Sequence, residues 1–268
     1  MATLLSAAPP APRRGRSRAL LLVERNLMIY RHTWSVFVAE IFEPVLYLLT
    51  IGLGVGQLVG HIPGLGTRNA DYTAFVAPAL LATAAMNSAM NETTFNLFYK
   101  LKFDRVYDSI LTTPMNIRDV VTGEVYWAVL RGVTACVGFL AVVSCFGAVR
   151  TPWVLLVVPG AAVIAFSFAA VGLAVTTYLR TSHDFQLIQL VMLPMFLFAT
   201  TFYPLGVYPR PVQIAVECLP LYQAIELLRG PALGEITPGL LLAVGYLLLL
   251  GLAGRAVAIR RLSRSLLH

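Results

Sequence analysis

The sequence predicts an all-α polytopic membrane protein. Three observations predict it. Hydrophobic residues make up 58% of the 268 positions and charged ones only 12%, with mean hydropathy +0.76, whereas soluble domains carry roughly a quarter charged residues. Six apolar runs approach the roughly 20 residues a spanning helix needs: about 36–59, 74–97, 121–147, 153–178, 186–202 and 238–258. Lys and Arg fall unevenly between them. With six spans, one side of the membrane collects fifteen and the other four, leaving Arg131 inside span three. By the positive-inside rule both chain ends are then cytoplasmic. The net charge of +7 is read as this topology signal and not as a nucleic-acid surface.

Taken in order, residues 1–16 read as a disordered basic arm, "APPAPRRGRSR" at its centre, with no evident cleaved signal peptide. In 17–34, Leu20, Val23, Leu27, Tyr30 and Trp34 recur at helical spacing while Arg18, Arg25 and Arg31 fall elsewhere. An amphipathic helix on the inner leaflet fits this pattern, and so does a cytoplasmic extension of span one. Gly52, Gly56 and Gly60 form two overlapping GxxxG steps on span one, suited to close helix packing within a chain or between two copies. Pro78, Pro159 and Pro194 are expected to kink spans two, four and five.

Between spans two and three, residues 100–114 carry Phe103, Val106, Tyr107, Ile110 and Leu111 at i, i+3, i+4, i+7 and i+8. Asp104, Arg105, Asp108 and Ser109 make the opposite face, Pro114 stops the helix, and Asn116 with Asp119 starts the next. An exposed apolar stripe reads as a docking surface, against the plainer reading of a solvated turn. Residues 203–237 contain Pro204, Pro209, Pro211, Pro220 and Pro231, so no unbroken span fits. Two short helices broken at Pro220, dipping in from the outer face and returning, reconcile its apolar content with both ends lying outside. An interfacial loop is the alternative.

Ionisable residues inside spans cost about 2.5–3.5 kcal/mol each and call for partners. Glu43 lies in span one and Glu92 in span two; Glu124 and Arg131 lie seven apart on span three and share a face. Arg131 is expected to pair with Glu43 or Glu92. The group is either a structural salt-bridge cluster near the inner interface or a polar lining of a transport path.

No catalytic or metal constellation emerges. The two lysines, Lys100 and Lys102, follow no glycine, so no phosphate-binding loop exists, and the four histidines lie far apart. Cys136 and Cys145, nine apart on one helix, cannot bridge; a Cys145–Cys218 bridge is conceivable. If the protein moves something uphill, the energy must come from an ion gradient or from another subunit. A secondary transporter and a membrane scaffold remain alternatives to an ATP-driven system.

The stretches "EPVLYLLTIGLGVG", "NETTFNLFYKLKFDRVYDSILTTPMNIRDVVTGEVYWAVLRG" and "LPMFLFATTFYPLGVYPRPVQIAVECLPLYQAIELLRG" resemble the ABC-2 type permease family, in its nodulation-factor (lipo-oligosaccharide) export and daunorubicin-resistance branch. The resemblance runs from about residue 20 to 262. It implies a transmembrane domain over 35–262, working as two copies (of itself or a close paralogue) with a separate nucleotide-binding ATPase subunit. ATP and Mg sit on that partner and none in this chain. It implies export of a drug, glycolipid or lipo-oligosaccharide across the bacterial cytoplasmic membrane. It places residues 100–114 on the ATPase as a coupling helix. It makes 203–237 a re-entrant external gate, with Tyr203, Pro204, Pro220, Tyr222, Glu226 and Arg229 as its candidate residues.

Overall fold

A computed structural model describes residues 18–31, 34–56, 72–103, 106–107, 113–145 and 152–266. The basic arm 1–16, Gly60, and Asp104, Arg105, Asp108, Ile110 and Leu111 lie outside the described residues. Among those described, the regular elements are all helical. In chain order they are α1 (Arg18–Tyr30), α2 (Trp34–Tyr47, continuing as a π-helical stretch Leu48–Val55), α3 (Tyr72–Lys102), α4 (Ile117–Cys145), α5 (Val157–Thr176), α6 (Phe185–Phe198), α7 (Arg210–Glu217), α8 (Pro220–Leu233) and α9 (Gly239–Leu266).

Among the described residues, four helices are long and apolar enough to cross a membrane: Tyr72–Lys102, Ile117–Ser144, Trp153–Thr176 and Gly239–Arg264. They correspond to the second, third, fourth and sixth apolar runs. The first run forms α2, which carries Pro44 and passes into the π-helical stretch. The fifth forms α6, whose 14 residues reach about 21 Å at 1.5 Å per residue, short of a hydrocarbon core of about 30 Å.

Helix α3 is the axis of the bundle. Within its apolar window 83% of residues are buried, against 22% for α9, so α3 is packed all round and α9 lies at the periphery. Small side chains make this possible: Ala79, Ala82, Ala85 and Ala89 are all fully buried, letting α4, α5 and α8 approach closely. The same logic joins α9 to α5. A Cβ on Gly254 would stand 2.9 Å from the Val171 backbone nitrogen, so only hydrogen fits there. It also fixes α1 on α4, where a Cβ on Gly123 would meet the Ala19 carbonyl oxygen at 2.9 Å.

The predicted GxxxG stripe faces inward in its described part. Gly52 and Gly56 lie against Thr73 and Tyr72 of α3, and Thr73 donates a hydrogen bond to the Gly52 carbonyl at 3.2 Å. Helix α6 starts from a Thr181–Asp184 capping box. The Asp184 carboxylate accepts from the backbone N–H of Arg180 at 2.7 Å and of Thr181 at 3.0 Å, which holds it below the usual carboxylate range. The proline-rich stretch is helical on both sides of a break at Cys218–Leu219, with Pro220 opening α8 at the position where its missing N–H costs nothing. Leu221, Ala224, Ile225 and Leu228 of α8 are fully buried, and α8 ends on Gly234 in the left-handed region (φ 82°). Cys218 is an exposed free thiol; the side chain of Cys145 lies outside the described part.

Candidate functional site

Helical spacing assembles a charged cluster at one end of the bundle. Glu92, Asn96 and Lys100 follow each other at four-residue steps on α3, so they share one face; the turn from Glu92 to Asn96 is π-helical, a deformation that recurs at functional sites. Glu124 and Arg131, two turns apart on α4, share another face. Asn26 and Tyr30 come from α1 and Glu40 from α2.

Arg131 is 2% exposed and donates through its two terminal nitrogens to Glu92 and Glu40. Its guanidinium lies 5.0 Å from the centre of the Tyr30 ring. The Tyr30 hydroxyl donates to Glu92 at 3.0 Å and accepts from Asn96 at 2.7 Å. Ser88 donates to Glu40 at 3.0 Å. Lys100 bridges the two buried carboxylates, 3.2 Å from Glu92 and 3.2 Å from Glu124. Glu124 also accepts from the Tyr107 hydroxyl at 2.9 Å and from Asn26 at 3.4 Å, with Arg25 at 3.9 Å. Three cations (Arg25, Lys100, Arg131) thus face three carboxylates (Glu40, Glu92, Glu124). Balanced pairing of this kind offsets the cost of burying Glu92 and Glu124, both 1% exposed.

Tyr107 links this cluster to the segment between α3 and α4. Its side chain is fully buried, and burial, with the Glu124 charge next, pushes its hydroxyl well above the ordinary phenol range. It therefore stays protonated and donates. Val106 is half-buried and Phe103 is exposed, stacked on Tyr99 with ring centres 5.2 Å apart. Arg18 of α1 donates to the Pro114 carbonyl at the far side of the same segment.

A cleft of about 880 Å³ opens beside the cluster, lined by Arg25, Tyr30, Glu40, Glu43, Asn96 and Arg131 among others. A narrower one of about 200 Å³ shares Glu40, Glu43 and Asn91 with it and continues along α2, α3 and α6 to Tyr47, Met192 and Phe196. The lining changes from charged to thioether and aromatic along this track.

The sequence-predicted polar residues are therefore mostly brought together, with one exchange of partner. Arg131 pairs with Glu92 and Glu40, while Glu43 is exposed and lines both clefts. Glu40, Lys100, Tyr30 and Asn26 were missed. The 92–96–100 spacing on one helix was a readable signal for Lys100; Glu40 had none, since choosing it over Glu43 depends on how α2 crosses α4.

At the other end of the bundle, Pro204, Tyr222, Glu226 and Arg229 line a third cleft of about 590 Å³. Tyr203 lies apart from it, in hydrogen-bond contact with Tyr208 at 2.8 Å, and Pro220 serves as the first residue of α8.

Comparison with known proteins gives the family of the chain. The family model described as "ABC-2 type transporter" matches residues 18–233. The chain is 30% identical over 252 residues to Nodulation protein J of Rhizobium leguminosarum bv. viciae, covering 91% of this chain and 95% of that one. It is 29% identical over 246 residues to Nodulation protein J of Sinorhizobium fredii, covering 91% and 92%, and 32% identical over 195 residues to that of Rhizobium leguminosarum bv. trifolii, covering 72% of each. A family match across most of the chain, with near full-length relatives, places it: the chain belongs to the ABC-2 type transporter family, as a multi-pass membrane subunit of a transporter.

Proposed function

We propose that this chain is the permease subunit of an ATP-driven exporter that moves an amphipathic or lipid-linked molecule outward across the bacterial cytoplasmic membrane. Two copies work with a separate ATPase subunit, which holds ATP and Mg. Helices α2 and α6, with their flanking turns, complete six spans, both chain ends face the cytoplasm, and α1 lies along the inner leaflet. The segment 100–114 docks on the ATPase, and 203–237 re-enters from outside as the outer gate.

The observation that carries this reading is the continuity between the inter-span segment and the cleft. Tyr107 touches Glu124, Lys100 joins Glu124 to Glu92, and Arg131 joins Glu92 to Glu40 on the cleft wall. A push on the segment between α3 and α4 is transmitted through short charged contacts instead of soft apolar ones. The cleft grades from charged to apolar, which suits a molecule with a polar head and a greasy tail.

The test is reconstitution of the permease with its ATPase in lipid vesicles. Accumulation of a fluorescent lipid-linked amphiphile on the outward-equivalent side should require hydrolysable ATP. Transport that persists without nucleotide and follows an ion gradient would show a secondary transporter instead.

A further inference from the structure

The outer end of the bundle holds a second buried charge that the inner cluster does not use. Arg229 of α8 is 6% exposed. Its guanidinium donates to the Thr200 carbonyl at 2.8 Å, approaches the Thr200 hydroxyl at 3.5 Å, and donates to Glu226 at 2.7 Å. It also lies 3.9 Å from the centre of the Phe75 ring on α3. One cation thus pins three elements: the end of α6, α8 and α3.

The residue it grips is strained. Thr200 has φ 60°, the one non-glycine residue with positive φ among those described. It sits just past the last turn of α6, where helices usually place glycine, and a β-branched residue is poorly suited to the left-handed region. Thr200 and Thr201 are fully buried, so the strained turn is sealed behind the Arg229 contact. The cleft of about 590 Å³ adjoins it. Two further carboxylates on its wall, Glu217 and Glu235, are exposed and hold no ion pair among the described residues. Strain in such a turn persists only where surrounding contacts enforce it.

We infer that Arg229 is the positioning residue of a releasable outer latch: closed, it holds strained Thr200 against α3; open, its guanidinium swings to Glu217 and Glu235 across the outer cleft. Relaxation of Thr200 favours opening, and the desolvated contacts of Arg229 with Thr200 and Phe75 favour closure. The inference rests on the exporter reading for what the latch serves, though the latch itself does not depend on it.

The test uses the full chain with its ATPase partner in vesicles, in a background with Cys136, Cys145 and Cys218 replaced by serine. Thr201→Cys places a reporter thiol behind the latch, read by a membrane-impermeant maleimide. Labelling should be slow at rest. Arg229→Gln should raise it tenfold or more. Thr200→Gly, which removes the strain and keeps the carbonyl, should slow nucleotide-induced labelling several-fold while raising thermal stability. Equal labelling with and without Arg229 overturns the latch. Where nucleotide raises labelling in the otherwise unmodified complex, Thr200→Gly that leaves that rise unchanged overturns it as well, and that variant loses no hydrogen-bonding carbonyl and is expected to fold. If Arg229→Gln opens the site but nucleotide never does in any variant, the latch stands and the ATP-driven reading fails.

Discussion

Replacing Lys100 with methionine isolates the electrostatic balance of the cluster around Glu92, Glu124 and Arg131. Lys100 stands 3.2 Å from each of two carboxylates that are 1% exposed, and methionine keeps much of its length without the charge. Removing one partner of a buried pair costs about 3–5 kcal/mol because an uncompensated charge remains. Here Glu92 keeps Arg131, Tyr30 and Asn96, and Glu124 keeps Tyr107, Asn26 and a more distant Arg25, so the lower end, about 3 kcal/mol, is expected. At about 2–4 °C per kcal/mol for a chain near this size, the purified protein should lose roughly 6–12 °C in Tm. Adding Glu124→Gln restores two cations to two carboxylates and should recover at least half of that loss, a non-additivity expected of contacting residues. An undiminished Tm for Lys100→Met, or a double variant whose loss is the sum of both singles, would refute the balanced-cluster reasoning.

Other outcomes follow from the same geometry. Gly254→Leu forces a side chain into the Ala170–Val171 backbone and should cost more than the usual 1–3 kcal/mol of overpacking, seen as loss of folded material in size-exclusion chromatography. Glu43→Gln should change stability by no more than about 0.5 kcal/mol, since Glu43 is exposed on the cleft wall, while changing the transport rate measured in vesicles. The Asp184 cap, held below the usual carboxylate range by backbone N–H groups, adds stability that is complete above its unfolded value. That contribution fades as pH falls through the lowered folded value; Asp184→Asn should therefore lower Tm at neutral pH, leave it little changed at acid pH, and so flatten the acid limb of a Tm-versus-pH curve.

The sequence exposed the parts that local rules control. Apolar length located α3, α4, α5 and α9, and the prolines of 203–237 located the break before α8, because a missing N–H forces an end or a start. Apolar length also pointed to 186–202 as one span, yet the helix stops at Phe198 and turns at Thr200. No local signal marks that turn, since threonine is an unusual residue there and a distant arginine holds it. The charged cluster was half legible for the same reason. Glu92, Glu124 and Arg131 announce themselves as ions inside apolar runs. Glu40 against Glu43 is decided by the crossing of α2 over α4, which one helix's periodicity does not encode. Tyr30 sat on the apolar stripe of α1, where its ring does face Arg131, but its hydroxyl contacts with Glu92 and Asn96 need the neighbouring helix to be seen.

The most direct measurement is the coupling ratio, substrate molecules moved per ATP hydrolysed, for the reconstituted complex with and without Tyr107→Phe. That change deletes the one hydroxyl that, among the described residues, joins the inter-span segment to Glu124, a charged hydrogen bond of about 1.5–3 kcal/mol, and leaves the ring in place. The expected result is hydrolysis near the unmodified rate with transport reduced at least fivefold. Transport and hydrolysis falling together in proportion, or both unchanged, would contradict a mechanical path through Tyr107, Glu124, Lys100, Glu92 and Arg131.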